Sequence, residues 1–183
     1  VYASITGYGH PEVLPSPLSD WPAFAIVAEA MGGVMDRIGS ANCEPHWSGV
    51  SVGDLYAGTL ALSGIMMALW QRTTSGAGQH VDIAMMDSMM SLNERAILSY
   101  EVTGTVPVRG AEVELAPFGP FRARDGWVVI GVIGETIWQR FCDAIGRNDL
   151  LGDPCLADGR ARCVHLDTVL RPAIEEWLAT RGK

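Results

Sequence analysis

The stretch Gly53–Met90, GDLYAGTLALSGIMMALWQRTTSGAGQHVDIAMMDSMM, decides how this chain is read. A single carboxylate, Asp54, opens an otherwise uncharged run from Leu55 to Trp70. Within that run Ala57, Ala61, Gly64 and Ala68 recur at helical spacing and make one narrow face of small residues. Leu55, Leu62, Met66 and Leu69 make a bulky face beside it. A helix apolar nearly all round is expected to be buried, and its small face lets another backbone come close. Gln71-Arg72 and the turn Ser75-Gly76-Ala77-Gly78 end it, with Gly76 suited to a left-handed stop. Gln79 to Ala84 then reads as a short strand.

Working outward, Val1 to Ile5 reads as a buried strand. Gly7-Tyr8-Gly9-His10-Pro11 is loop. It is not a dinucleotide fingerprint, because Glu12 stands where GxGxxG needs its third glycine. Ser19 or Asp20 can cap a helix with Pro22 in its first turn. That helix is expected to reach Ala30 or Met31 and stop at Gly32-Gly33, with loop from Ser40 to Ser48. Downstream, Met85, Met89, Leu92 and Ala96 share a face of a helix expected to end near Gly104. Strand and helix in alternation predict an α/β layer, a Rossmann-like large domain over residues 1–104. Residues 105–117 carry two prolines and no period, and read as a linker. Residues 118–183 read as a small α+β domain. Phe118 to Ala123 and Trp127 to Ile133 form a hairpin with Asp-Gly in its turn. A helix after Gly134 places Ile137, Phe141 and Ile145 on one face. Another spans Leu166 to Thr180 and is kinked or started late by Pro172.

The formal net charge of −8 argues against a nucleic-acid or anionic-membrane partner. The uncharged stretches look too short or too broken by glycine for a membrane span, and no signal peptide opens the chain. Cys43, Cys142, Cys155 and Cys163 form no CxxC pair, so reduced thiols and a cytoplasmic protein are expected. His10, His46, His80 and His165 are scattered, so no metal site is expected. The first residue is Val rather than Met, and the last residues close a helix with no element after it. The chain therefore reads as an internal piece of a longer protein.

Asp54 has two compatible readings. As a helix cap it accepts backbone N–H bonds and adds about 1 kcal/mol. As an oriented carboxylate at a helix start, where negative charge is favoured, it can act as a nucleophile on an acyl group. Glu135, between a strand end and a helix start, reads as helix-start electrostatics. Asp82 and Asp87 read as solvated or capping, and His80 as structural or exposed. Met85, Met86, Met89 and Met90 read as core, although an adaptable wall for a flexible ligand suits methionine as well. Trp21, Trp127, Trp138 and Trp177 read as core.

The order VYASITGYG, AEAMGG, GVSVGDLYAGTLALSGIMMALWQRTTSGAGQHVDIAMMDS and PFGPFRARDGWVVIGV resembles the class III coenzyme A transferases over essentially all 183 residues. That family includes formyl-CoA transferase and the related 2-methylacyl-CoA racemases. The resemblance implies that the aspartate at the Asp54 position attacks an acyl-CoA thioester and forms a mixed anhydride. The CoA thiolate then attacks, giving an aspartyl-CoA thioester and releasing the acid. The incoming acid reverses the sequence. No permanent cofactor and no metal are implied, with coenzyme A and acyl-CoA as substrates. The methionine at the Met85 position is implied to lie near bound CoA, as a cofactor-binding residue. The full-length protein is implied to be an interlocked homodimer acting on an acyl-CoA and a carboxylic acid.

Three departures qualify the resemblance. Phe24-Ala25 stands where the family carries an aromatic or histidine followed by an acid, which speaks against racemase chemistry. Gly134 stands where the racemases carry an acid, with Glu135 next to it. The family's N-terminal CoA-binding part and its C-terminal return segment are absent from this sequence. The expected activity is CoA transfer through a covalent aspartyl intermediate. The alternatives are a 2-methylacyl-CoA racemase or a catalytically silent α/β fragment. This piece alone is expected to be inactive, with exposed apolar faces.

Overall fold

Strands β1 (Tyr2–Thr6) and β2 (His80–Ala84) pair in parallel, Tyr2 opposite His80 and Thr6 opposite Ala84. A parallel pair needs a long crossover. Here the crossover holds α1 (Ala25–Met31), α2 (Val34–Arg37) and α3 (Val52–Ser75). Helices α4 (Met85–Leu92) and α5 (Glu94–Thr103) follow β2. The computed structural model describes residues 1–109 and 115–183. They divide into two compact units, Val1–Ala111 and Glu112–Lys183.

In the first unit α3 packs on β1, β2, α1 and α4. It does so through the small face seen in the sequence: Ala57, Ala61 and Ala68 are buried. At Gly64 a Cβ would come within 2.6 Å of Val81 Cγ1, so only glycine lets the helix sit this close to β2. The core of the unit is small. Ala25, Ala28, Ala57, Met85 and Met89 are buried together, with Val34, Val52, Tyr56 and Ile83 packed around them.

The bulky face of α3 departs from the expected burial. Leu55, Leu62, Met66 and Leu69 are exposed, and Trp70 keeps 76 % of its surface in solvent. The apolar period identifies the two faces but not which one finds a partner. The small face permits the closest backbone approach and so takes the sheet. The expectation that glycines break this stretch is also corrected. Gly58 and Gly64 each cost about 1 kcal/mol of helix propensity, yet the helix runs unbroken for 24 residues. By length and composition it is long and apolar enough to cross a membrane.

Two further readings are corrected. Helix α1 begins at Ala25 behind an extended Phe24, not at Ser19 or Asp20, and no side chain caps it. The single helix expected from Met85 to Gly104 is two, parted at Asn93. The Asn93 side chain donates to the Gly32 carbonyl, a bond that holds the break against the end of α1. Of the 105–117 linker, residues 110–114 lie outside the described residues. On its near side Arg37 donates to the Pro107 carbonyl at 2.9 Å, and on its far side Ala116 and Pro117 are buried in the second unit.

The second unit begins with the antiparallel hairpin β3 (Phe118–Ala123) and β4 (Gly126–Gly131). Ala123 pairs with Gly126, so Arg124-Asp125 form the two-residue turn. Helix α6 (Glu135–Ile145), α7 (Gly159–Val164), a wide turn at Leu166–Leu170 and α8 (Arg171–Leu178) complete it. Phe121, Trp138, Cys142, Leu156, Leu170 and Ile174 are among its buried core. The inward stripe of α6 is Trp138, Cys142 and Ile145, while Ile137 is exposed. The stripe expected through Ile137 and Phe141 lies one residue off, because Trp138 supplies the larger surface to bury. Pro172 sits in the first turn of α8, which the proline starts rather than kinks.

Candidate functional site

Asp54 is the third residue of α3, with Ser51 at the cap position. It is exposed, and among the described residues its carboxylate makes no hydrogen bond and no ion pair. The cap reading therefore does not hold. The carboxylate stands unpaired on the first helical turn, where the dipole favours negative charge.

What lies under Asp54 is closely packed. The preceding residue, Gly53, is buried against α1: a Cβ there would fall 2.8 Å from the Ala25 carbonyl oxygen and 2.9 Å from Ala25 Cα. One turn further on, Ala57 is fully buried in the small core. Phe24-Ala25, the pair that departs from the family pattern, thus sits directly beside the first turn of α3. Ala25 is buried and Phe24 is 70 % exposed. Neither side chain can hold or move a proton there.

Met85 opens α4 and is 8 % exposed, inside the core that also holds Ala57. Asp54 and Met85 are therefore carried by two helices that pack on each other. Met85 contributes mainly packing in this chain, with only a small edge left to solvent. An apolar hollow of about 350 Å³, lined in part by Met31, Met90, Ile97, Tyr100 and Pro107, does not include Asp54.

Asp82 is not a solvated acid. Its Oδ1 accepts from Ser4 Oγ at 2.8 Å and its Oδ2 from the His10 N–H at 2.8 Å. His80 Nε2 lies 2.7 Å from the same Ser4 hydroxyl. His80 and Asp82 alternate with Val81, which faces α3, so the cluster lies on the opposite face of the sheet. Glu135 is claimed by the second unit's own architecture. Its Oε1 and Oε2 accept from Arg162 at 2.6 and 3.0 Å, and the buried Arg162 guanidinium stacks 4.8 Å over Trp138. The Arg162 hydrogen bonds hold the Glu135 carboxyl below its ordinary range, which suits an ion pair and not a proton donor. One residue passed over in the sequence is Glu29. It is fully buried in α1 and bonded to Trp47 and Ser48. The signal available was an acid inside an otherwise apolar helical face, between Ala28 and Ala30.

A parallel strand pair whose crossover helix α3 presents an unpaired aspartate at its start defines an α/β protein with a candidate carboxylate site. The chain belongs to CoA-transferase family III, whose family model matches residues 1–183. It is 37 % identical over 182 residues to the succinyl-CoA:mesaconate CoA-transferase of Haloarcula hispanica, covering 98 % of this chain and 45 % of that protein. It is 31 % identical to the acetyl-CoA:oxalate CoA-transferase of Acetobacter aceti, covering 98 % and 46 %. The crystal structure of a CAIB/BAIF family protein from Brucella suis superposes with a TM-score of 0.81 at 27 % identity, over all of this chain and 47 % of that one. The α/β reading, a class III fold carried in part, agrees with that superposition. The chain spans a little under half the length of these relatives.

Proposed function

We propose that the full-length protein transfers coenzyme A between an acyl-CoA and a carboxylic acid, with Asp54 as the covalent acyl acceptor. The observation that carries this reading is the exposed, unbonded Asp54 carboxylate on a helical turn pinned from below by Ala25. An oxygen of Asp54 attacks the thioester carbonyl, and the C–S bond breaks to release CoA thiolate. The thiolate attacks the Asp54 carbonyl of the mixed anhydride, forms the aspartyl thioester and expels the donor acid. The acceptor carboxylate then attacks that thioester and expels CoA thiolate, forming a second mixed anhydride. The thiolate attacks the acceptor's carbonyl to give the new acyl-CoA and free the Asp54 carboxylate. The thioester bond energy is conserved through exchange of acyl partners, so each step needs only carboxylate and thiolate. CoA and its thioesters are substrates here, and Met85 is proposed as part of the apolar wall beside them. The acceptor is proposed to be a short dicarboxylic acid, supported by the mesaconate and oxalate of the two named relatives.

Transfer is favoured over racemisation by Phe24, which has no basic atom, and by the engagement of Glu135 with Arg162. The test is to incubate the full-length enzyme with acyl-CoA and hydroxylamine and map the adduct by mass spectrometry. It is expected on Asp54, and Asp54→Ala is expected to abolish transfer while leaving the fold intact. An adduct on any other residue refutes the assignment.

A further inference from the structure

The Glu29 side chain is fully buried in α1. A buried carboxylate is costly unless its oxygens are occupied. Both are occupied: Oε1 accepts from Trp47 Nε1 at 3.3 Å and Oε2 from Ser48 Oγ at 2.9 Å. Ser48 Oγ also lies 2.6 Å from the Val50 carbonyl oxygen and 3.4 Å from the Val50 nitrogen. The Val50 carbonyl accepts the Val52 N–H at 2.8 Å, and Val52 is the first residue of α3. A continuous run of polar contacts thus leads from Glu29 to the helical turn that carries Asp54. None of the proposed transfer steps uses Glu29 directly. Helix α1 reaches the same turn a second time, through Ala25 against Gly53.

We infer that Glu29 is a positioning residue: it anchors the loop Trp47–Ser51 and so fixes the aim of the Asp54 carboxylate. This inference rests on the reading of Asp54 as acyl acceptor. A loop bonded only to its own neighbours would shift independently of the core. This one is tied to a buried side chain by two donors, one from Trp47 and one from Ser48. The Trp47 N–H has Glu29 as its acceptor, while the single Ser48 hydroxyl hydrogen is shared between Glu29 and the Val50 carbonyl. Glutamine can keep both contacts, its oxygen accepting from Trp47 and its N–H₂ group donating to the Ser48 oxygen, whereas methionine has a similar volume and offers neither a carboxylate acceptor nor a donor. Glu29→Met therefore cuts the anchor while nearly keeping volume and helix propensity, and Glu29→Gln is the conservative control that retains it.

The test uses the full-length protein and follows three quantities. They are the single-turnover rate of Asp54 acylation by acyl-CoA, the KM for acyl-CoA and the thermal midpoint. Because a misplacement of about 1 Å costs about 100-fold in rate, Glu29→Met is expected to slow acylation about tenfold or more, and Glu29→Gln by much less. KM is expected to change less than about threefold, since binding of the donor is not what the anchor controls. Trp47→Phe removes one donor and keeps the ring, so it is expected to slow acylation by a smaller factor. The double variant is expected to be no slower than Glu29→Met alone, because both changes cut the same anchor. Wild-type acylation in folded Glu29→Met overturns the inference. So does a loss of rate that only follows the loss of folded protein. If Glu29→Met does not fold, Trp47→Phe decides: a slowed acylation supports the anchor and an unchanged one overturns it. A wild-type adduct away from Asp54 is a different failure, visible before any Glu29 variant is compared.

Discussion

Gly53→Ala is the sharpest perturbation of the site that leaves every reacting atom in place. The added Cβ would fall 2.8 Å from the Ala25 carbonyl oxygen and 2.9 Å from Ala25 Cα. Both are backbone atoms, so no side chain can rotate away. Restoring ordinary contact requires α1 and the start of α3 to part by about 0.5 Å. Overpacking of this kind costs about 1–3 kcal/mol. Replacing glycine by alanine in a helix returns up to about 1 kcal/mol. The net expectation is a loss of about 1–2 kcal/mol. Gly58 in the same helix is the control, because a Cβ there meets nothing within 4 Å. Gly58→Ala receives only the propensity gain, about 0.5–1 kcal/mol. The two variants should therefore move the urea midpoint of the full-length protein in opposite directions. Gly53→Ala also shifts the residue next to Asp54 by about half an ångström, which is worth roughly tenfold in acyl transfer. Equal stability and equal turnover in the two variants would show that the α1–α3 contact does not hold the site.

Two other expectations concern proton chemistry. A 2-methylacyl-CoA incubated with the full-length enzyme in deuterated water should gain no α-deuterium at catalytic rates, because Phe24-Ala25 supplies no base; fast exchange without an acceptor acid would point to racemisation. The Glu135 carboxyl has a lowered pKa in the folded chain, chiefly through its hydrogen bonds to Arg162. Its contribution to stability is therefore full above its unfolded value, about 4.5, and is lost as pH falls through the lowered folded value. Urea unfolding between pH 6 and pH 3 should show a steeper acid loss in the wild type than in Glu135→Gln, and parallel curves would refute the pairing.

The sequence made the α3–β2 segment legible because its signals are local. The small-residue period, the Gly76 stop and the alternation from His80 to Ala84 lie within a few residues of what they specify. The start of α1 was not legible. Ser19, Asp20 and Pro22 form a plausible helix opening, but the helix begins where Ala25 meets Gly53, a contact between residues far apart in the chain. The break at Asn93 has the same origin, since no glycine or proline marks it and the Gly32 carbonyl holds it. At the site, Asp54 stood out because it is the lone charge before an apolar helix. Glu29 did not, because its meaning depends on Trp47 and Ser48 folding back over it. The bulky face of α3 shows the limit of periodicity, which ranks faces by composition and cannot name their neighbours.

The parallel pairing of β1 with β2 has a consequence for how the chain is made. Ser4 and Asp82, bonded across the two strands, are 78 residues apart. At a ribosome adding about 5–20 residues per second, β1 waits roughly 4–16 s after it is made before its partner exists. During that interval its open edge is available to any other extended chain. Closing so long a loop is also entropically slow. The helices α1 to α3 are the first parts able to shorten that gap, by drawing the ends of the loop together before β2 appears. Synonymous codon changes that slow synthesis between residues 10 and 80 would lengthen the exposure of β1 without altering a single contact in the finished fold.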